Sequence, residues 1–168
     1  MNPNLERTIQ PDGHLHGVIV ACQDQAGRWL LIRRSATVPG PLRVCFPGGG
    51  INGEETQTEA VVREMREELA AEVLPVRCVW HHRFEERAIT LWGWLAKLHS
   101  VTLSPDPDEV DEILWLTAHE AINHPDVLPH TDEFIAALQQ VSPFFFKVSN
   151  LTWRELIENR SGRLARRI

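Results

Sequence analysis

The sequence lacks the features of membrane-spanning, secreted and disulfide-linked proteins. It has no apolar run of about 18 residues, the length that a membrane-spanning helix needs. The first 13 residues are polar and do not read as a signal peptide. Three cysteines, Cys22, Cys45 and Cys78, have no CxxC spacing and lie in apolar runs. We therefore expect a cytoplasmic protein whose thiols are free and buried.

The chain also has no excess of positive charge. Its formal net charge is −6, from 17 lysines and arginines against 23 acidic residues, which argues against a protein that binds nucleic-acid phosphates. A length of 168 residues suffices for one domain with a core. We expect a single domain over 1–168, with a core at about 13–140 and a helical extension at about 141–168. For the oligomeric state, the sequence does not distinguish a monomer from a homodimer.

The most informative stretch runs from Gly48 to Ala71, where a glycine triplet precedes a predicted helix at about 58–69. Glu64, Glu67 and Glu68 share one face of that helix because they are three and four residues apart. An adjoining stripe of apolar residues can pack against a core. Carboxylates this close repel one another, and Mg²⁺, which prefers oxygen ligands, would offset the repulsion. The alternative is a solvated acidic face with arginine partners.

The spacing of this stretch resembles the Nudix box, G-x5-E-x7-R-E-U-x-E-E-x-G-U, in which U is a bulky aliphatic residue. Seven of its nine specified positions match, from Gly49 through Glu55 and Arg63 to Glu68. The departures are Ala70, where the family has glycine, and Ala71, where it has a bulkier residue. Glycine suits a helix end with positive φ, and alanine in that conformation costs about 1 kcal/mol.

The resemblance implies an α/β Nudix fold, in which a mixed sheet lies between helices as an α/β/α sandwich. It also implies hydrolysis of a nucleoside diphosphate linked to another group, with Mg²⁺ or Mn²⁺ as cofactor. The expected metal ligands are Glu64, Glu67, Glu68, the Gly48 carbonyl and one further carboxylate, for which Glu112 is the first candidate and Glu109 the second. The general base is Glu64 or Glu67, with Glu112 as a third choice, while Glu55 and Arg63 orient the loop and ligands.

A second stretch, FEERAITLWGWL, resembles a hairpin strand of MutT-type 8-oxo-dGTP diphosphatases. The resemblance implies that Arg87, placed on a strand over 87–97, contacts a purine base. Thr131, the expected N-cap of a helix with an apolar stripe, lies near the position where that group reads the base, but the family example has asparagine there. Trp92 and Trp94 share a strand face, where core packing is favoured over base stacking.

The remaining pattern predicts strands at 14–22 and 28–34, joined as an antiparallel hairpin. Arg33 and Arg34 at its end, with Gly49, are candidates for phosphate binding, and exposed ion pairs are the alternative for each arginine. The expected substrate is a (deoxy)nucleoside triphosphate, cut to the monophosphate and pyrophosphate, with oxidised purines included. Dinucleoside polyphosphates, ADP-ribose and a non-catalytic nucleotide-binding module are the alternatives.

Overall fold

The computed structural model describes residues 9–145, of which 142–145 are described by their backbone alone. Most of the helical extension expected at about 141–168 lies outside that range. None of the helices between residues 9 and 145 combines the length and apolar character needed to cross a bilayer. The elements in chain order are β1 (Leu15–Ala21), β2 (Trp29–Arg34), β3 (Val44–Cys45), α1 (Gln57–Leu69), β4 (Val73–Phe84), β5 (Ile89–Leu98), β6 (Val110–Leu116), α2 (Ala118–Ile122) and α3 (Thr131–Phe145).

The strands form two three-stranded sheets. One has the order β1-β5-β4, with β1 parallel to β5 and β4 antiparallel to it. The other has the order β3-β2-β6, and its pairs are antiparallel. Parallel and antiparallel pairs thus occur in one molecule, as the expected mixed architecture requires.

The hairpin predicted from β1 and β2 is wrong. An isolated bridge between Gln23 and Trp29 closes the turn, but the two strands then enter different sheets. One edge of β1 pairs with β5, and the other bonds to the glycine loop, through Val18 N–H to the Gly49 carbonyl and Val20 N–H to the Pro47 carbonyl. With both edges occupied, β1 has no edge left for β2.

Strand alternation divides the core into two layers. Along β2, Leu30 and Ile32 lie in the cluster that contains Val61, Met65 and Leu69 of α1. The intervening residues of the same strand point to the opposite side, into the cluster that contains the predicted stripe of α3. That second cluster comprises Ala21, Trp29, Leu31, Val44, Phe46, Leu95, Ala121, Phe134, Ile135 and Leu138. The α/β/α arrangement is confirmed, and Trp92 and Trp94 pack partly buried against the α1 layer.

Helix α1 has defined ends. Thr56 is its N-cap, and a capping box with Glu59 satisfies backbone N–H groups of the first turn. The helix begins at Gln57, one residue before the predicted start at about 58. The helix ends at Leu69 as predicted, and Ala70 follows in the left-handed region with φ 50°. The expectation of a positive φ where the family has glycine is therefore confirmed. These two ends fix where the three glutamates stand relative to the glycine loop.

Candidate active site

The glycine loop lies between β1 and α1, and two of its glycines approach their neighbours closely. Gly48 has φ 142°, and a Cβ there would lie 2.1 Å from the Val18 carbonyl oxygen. A Cβ on Gly49 would lie 2.5 Å from Oε1 of Glu64. The loop backbone therefore touches β1 on one side and the helix carboxylates on the other.

Two of the three helix glutamates are buried beside this loop. Glu64 is 7% exposed and Glu68 is 3% exposed, whereas Glu67 faces solvent. The Gly48 N–H donates to Oε2 of Glu68 at 2.8 Å. Burial raises the pKa of Glu68 well above its usual range, and the neighbouring Glu64 raises it further. Burial likewise raises the pKa of Glu64, against the opposing effect of Arg63. The site concentrates negative charge where water provides little screening.

Arg63 holds the acidic groups in place. Its guanidinium donates to both carboxylate oxygens of Glu55, at 2.8 and 2.9 Å, and to Glu64 at 2.8 Å. It also donates to Glu67 at 2.9 Å and to the Gly50 carbonyl at 2.7 Å. One side chain thus connects the loop, the turn before α1 and two carboxylates of the helix. A planar group with five N–H donors can do this, and an ammonium cannot.

Glu109, rather than Glu112, approaches the box carboxylates. Glu112 is half-exposed and pairs with Arg33 at 3.2 Å, so it faces another group. The charge of Glu109 acts on both Glu64 and Glu68. Burial, then Asp106 and Glu67, raise the pKa of Glu109. The charge of Glu109, the second candidate for the additional carboxylate, thus acts on the box glutamates, whereas Glu112, the first candidate, pairs with Arg33.

The loop before β6 explains why Glu109 reaches the cluster. The N–H groups of Ser104 and Asp106 donate to the carbonyls of Leu69 and Glu68, each at 2.9 Å, at the C-terminal end of α1. These bonds fasten the loop to the helix that carries the glutamates. The sequence carries no signal for this role of Asp106, because the proline-bearing composition of the loop does not specify a backbone bond to the distant helix α1.

The two arginines at the end of β2 have different surroundings. Arg33 pairs with the carboxylates of Glu112 and, at 2.9 Å, Asp126, and it donates to the Leu42 carbonyl at 3.0 Å. The side chain of Arg34 donates to the Pro39 carbonyl at 2.8 Å, and its charge acts on Glu68 and Glu109. The structure therefore brings Arg34 to the acidic cluster and leaves Arg33 in an ion-pair network.

The residues expected to contact the base lie elsewhere in the fold. Arg87 is exposed in a 3-10 turn over Glu85–Arg87, not on the strand, which begins at Ile89. Thr131 is buried, and its hydroxyl donates to the Leu128 carbonyl at 2.8 Å. It is the first residue of α3 rather than a side-chain cap of the first turn. A threonine whose hydroxyl is used in this way is poorly placed to read a base.

Comparison with known proteins identifies the class. Residues 13–138 match the family model of the NUDIX domain, which is three quarters of the chain. The chain belongs to the Nudix family, and it is an enzyme of the pyrophosphohydrolase class.

Relatives of known name support this assignment. The chain is 32% identical over 110 residues to a CTP pyrophosphohydrolase of Escherichia coli K12, an alignment that covers 64% of this chain and 80% of the relative. It is 36% identical over 69 residues to an 8-oxo-dGTP diphosphatase of the same organism, covering 40% of this chain and 54% of that protein. The chain thus spans only about half the length of the second relative.

Solved structures show the same fold. A MutT protein from Methanosarcina mazei Go1 superimposes with a TM-score of 0.66 at 19% identity, covering 76% of this chain and 94% of that one. An ADP-ribose pyrophosphatase from Streptococcus suis 89-1591 gives 0.61 at 17% identity, covering 76% and 92%. At such identities the likeness concerns the fold alone.

Proposed function

We propose that this protein is a Mg²⁺-dependent hydrolase of (deoxy)nucleoside triphosphates, which it cuts to the monophosphate and pyrophosphate. The observation that carries the proposal is the set of Glu64, Glu67 and Glu68 on one face of α1, oriented by Arg63 and placed against a glycine loop. Such a set is suited to a cation bound by carboxylates and by substrate phosphates together.

The donor set fits a hard divalent cation. It consists of carboxylates, two of them buried with raised pKa values because burial disfavours their charged form, and a bound cation would stabilise that form. We assign Glu64, Glu67 and Glu68 as ligands, with the Gly48 carbonyl and Glu109 adjoining. Mg²⁺, for which Mn²⁺ can substitute, would neutralise phosphate charge and lower the pKa of a bound water. Sulfur and imidazole ligands, which favour softer metals, are not part of this set.

The protein's own groups have distinct tasks in this reaction. Of the candidates for the general base, Glu67 fits best, because it is exposed to solvent and is still held by Arg63. Glu64 and Glu68 are oriented by burial and by bonds to Arg63 and Gly48. Arg63 and Glu55 act as positioning residues. Arg34, whose charge acts on Glu68 and Glu109, is assigned to a substrate phosphate, and the Gly49 backbone is assigned to the same task.

The choice of substrate class follows the named relatives, one acting on CTP and one on 8-oxo-dGTP. Arg87 is exposed and available for a base, whereas the buried Thr131 weighs against a purine specificity that relies on asparagine at that position. ADP-ribose is the runner-up substrate. A non-catalytic module is disfavoured, since a pure sensor has no need of the full acid set. We propose that the enzyme acts in the cytoplasm, as a monomer or homodimer.

The test is hydrolysis of a panel of nucleotides with Mg²⁺ and with EDTA. The panel contains CTP, dGTP, 8-oxo-dGTP, diadenosine polyphosphates and ADP-ribose, and the products are separated. The proposal expects Mg²⁺-dependent release of pyrophosphate from a triphosphate. Preference for 8-oxo-dGTP makes Arg87→Ala the next variant. Turnover of ADP-ribose alone would overturn the substrate class, and no Mg²⁺-dependent turnover of any compound would overturn the catalytic assignment.

A further inference from the structure

A second group of metal-ligating side chains lies at the junction of β4 and α3. His82 stands near the end of β4, His130 directly precedes α3, and Glu133 is in the first turn of that helix. One ligand atom from each side chain lies within 4.8 Å of the others. The group shares no residue with the acidic set on α1, and it contains two imidazoles where that set has none.

The distances match those around a bound ion. Nδ1 of His130 lies 2.9 Å from Oε1 of Glu133, and Nδ1 of His82 lies 3.5 Å from Oε2. Ligand bonds of 2.0–2.1 Å in tetrahedral geometry place neighbouring donor atoms about 3.3 Å apart. The two measured separations lie on either side of that value, and they involve the two different oxygens of Glu133. An ion bound here would take the place of the hydrogen bond between His130 and Glu133.

The surrounding aromatic rings hold the two histidines together. The ring centroids of His82 and His130 are 3.9 Å apart. Phe84 packs against both, at 4.4 and 5.2 Å, and Trp80 stacks on His82. These ring contacts orient the two imidazoles, while the carboxylate of Glu133 stays half-exposed to solvent.

The backbone at His130 is consistent with a constrained site. His130 has φ 66°, in the left-handed region that residues other than glycine seldom occupy. This conformation costs about 1 kcal/mol or more, and such residues cluster at ligand-binding positions. Here it places the ring of His130 against His82 one residue before the helix begins.

We propose that His82, His130 and Glu133 form a Zn²⁺ site, distinct from the Mg²⁺ site on α1. Two imidazoles and one carboxylate, with water in the fourth position, are a ligand set that Zn²⁺ accepts. Ligand chemistry separates the two ions, because the set on α1 is made of carboxylates and suits a hard cation. An ion here ties α3 to β4, and the site stands independently of the substrate assigned above.

The test is titration of Zn²⁺ into the untagged full chain by calorimetry, with Mg²⁺ in millimolar excess to occupy the carboxylates of α1. The proposal expects one tight equivalent of Zn²⁺. His82→Ala and His130→Ala should each weaken binding by more than about 100-fold, since each removes a direct ligand. A hundredfold excess of Zn²⁺ over its Kd should raise the Tm of the wild type by about 5–10 °C and leave the Tm of these variants nearly unchanged.

Two control variants locate the bound ion. His81→Ala removes a neighbouring histidine that is exposed and stacks on Trp92, so Zn²⁺ binding should persist. Glu68→Gln alters the acidic set on α1, and this variant should still bind Zn²⁺ at the site between β4 and α3. Absence of a stoichiometric Zn²⁺ equivalent, or equal loss in His81→Ala and His82→Ala, would overturn the site. Loss of Zn²⁺ binding in Glu68→Gln alone would show that Zn²⁺ occupies the carboxylates of α1.

Discussion

At the scale of single residues, the burial of Glu68 lowers the stability of the folded protein at the position where the proposed function needs a charged carboxylate. Its carboxylate is almost fully buried beside Glu64, and its pKa is raised because the charged form is disfavoured there. Such a group destabilises the metal-free protein at neutral pH, although the proposed Mg²⁺ site needs its charge. Arg63 compensates Glu64 directly, whereas Glu68 has mainly the Gly48 N–H. Conflicts of this kind are expected at active sites.

The first prediction concerns Glu68→Gln in the metal-free protein. Glutamine keeps an oxygen that can accept from the Gly48 N–H, and it removes the buried charge. We expect the variant to be more stable than the wild type at neutral pH by about 1 kcal/mol. Urea unfolding in EDTA measures this difference. A variant less stable than the wild type by a similar amount would show that the ionised carboxylate is stabilised by its surroundings.

The second prediction concerns Ala70, which has φ 50° where the family has glycine. Glycine tolerates this conformation, so Ala70→Gly should stabilise the protein by about 1 kcal/mol, or about 2–4 °C in Tm. Ala71→Gly is the matched control, since Ala71 is fully buried and lacks the positive φ, and it should destabilise. Equal losses of Tm in both variants would contradict this account of the helix end.

At the scale of elements, the site depends on contact between the glycine loop and α1. The loop bonds to the free edge of β1, and this placement brings Gly49 against Glu64 and Gly48 against Glu68. The loop before β6 bonds to the C-terminal end of α1, and this loop precedes Glu109. The carboxylates are therefore positioned by two loops that are far apart in sequence.

The third prediction tests the contact of the glycine loop with α1. In Gly49→Ala the new Cβ would lie 2.5–2.6 Å from the Glu64 carboxylate, which is the movable end of a flexible side chain. We expect the carboxylate to shift, kcat to fall by about 100-fold, and the Tm to change little. Steady-state kinetics and thermal unfolding measure both effects.

Gly93→Ala is the contrasting variant. Its Cβ would lie 2.5 Å from the ring of Phe134, a rigid group in the core, and neither residue belongs to the site. It should lose about 1–3 kcal/mol of stability while the folded fraction keeps its kcat. If Gly49→Ala instead lost stability and kept its kcat, the loop would be structural only.

At the scale of the whole molecule, stability is linked to pH and to Mg²⁺. The folded-state pKa values of Glu64 and Glu68 are raised above the ordinary value of 4.5. Each group therefore contributes stability that is fully present below pH 4.5 and is lost as the pH rises through the folded value. The proposed cation, bound by the ionised carboxylates, would restore stability in the same range, because it would bind the folded state preferentially.

The fourth prediction follows from that linkage. The increase in Tm caused by Mg²⁺ should be small near pH 4.5 and should grow as the pH rises toward neutrality. In Glu68→Gln the increase should be smaller at every pH. Thermal unfolding with Mg²⁺ or EDTA across that range measures it. An increase that did not depend on pH would place the Mg²⁺ effect outside these carboxylates.

Much of this fold and of the candidate site could be predicted from the sequence, because these features are specified by residues that are close together in the chain. The spacing from Gly49 to Glu68, the apolar stripe of α1 and the end of the helix at Leu69 depend on neighbours in the chain. The failures are long-range. The predicted antiparallel pairing of β1 with β2 is wrong because β1 bonds to β5 and to the glycine loop. The bonds from Ser104 and Asp106 to α1, which fasten the loop before Glu109 to the helix, leave no trace in local composition.

The measurement that tests the central claim most directly is pyrophosphate release by the wild type and by Glu68→Gln, at saturating Mg²⁺, on the best substrate of the nucleotide panel. The account predicts turnover by the wild type that EDTA abolishes. It also predicts at least about a 100-fold loss in the variant, since a ligand for the catalytic cation is removed. Circular dichroism should show an unchanged fold. Mg²⁺-dependent turnover retained by a folded Glu68→Gln would contradict the assignment of the carboxylates on α1 as the catalytic metal site.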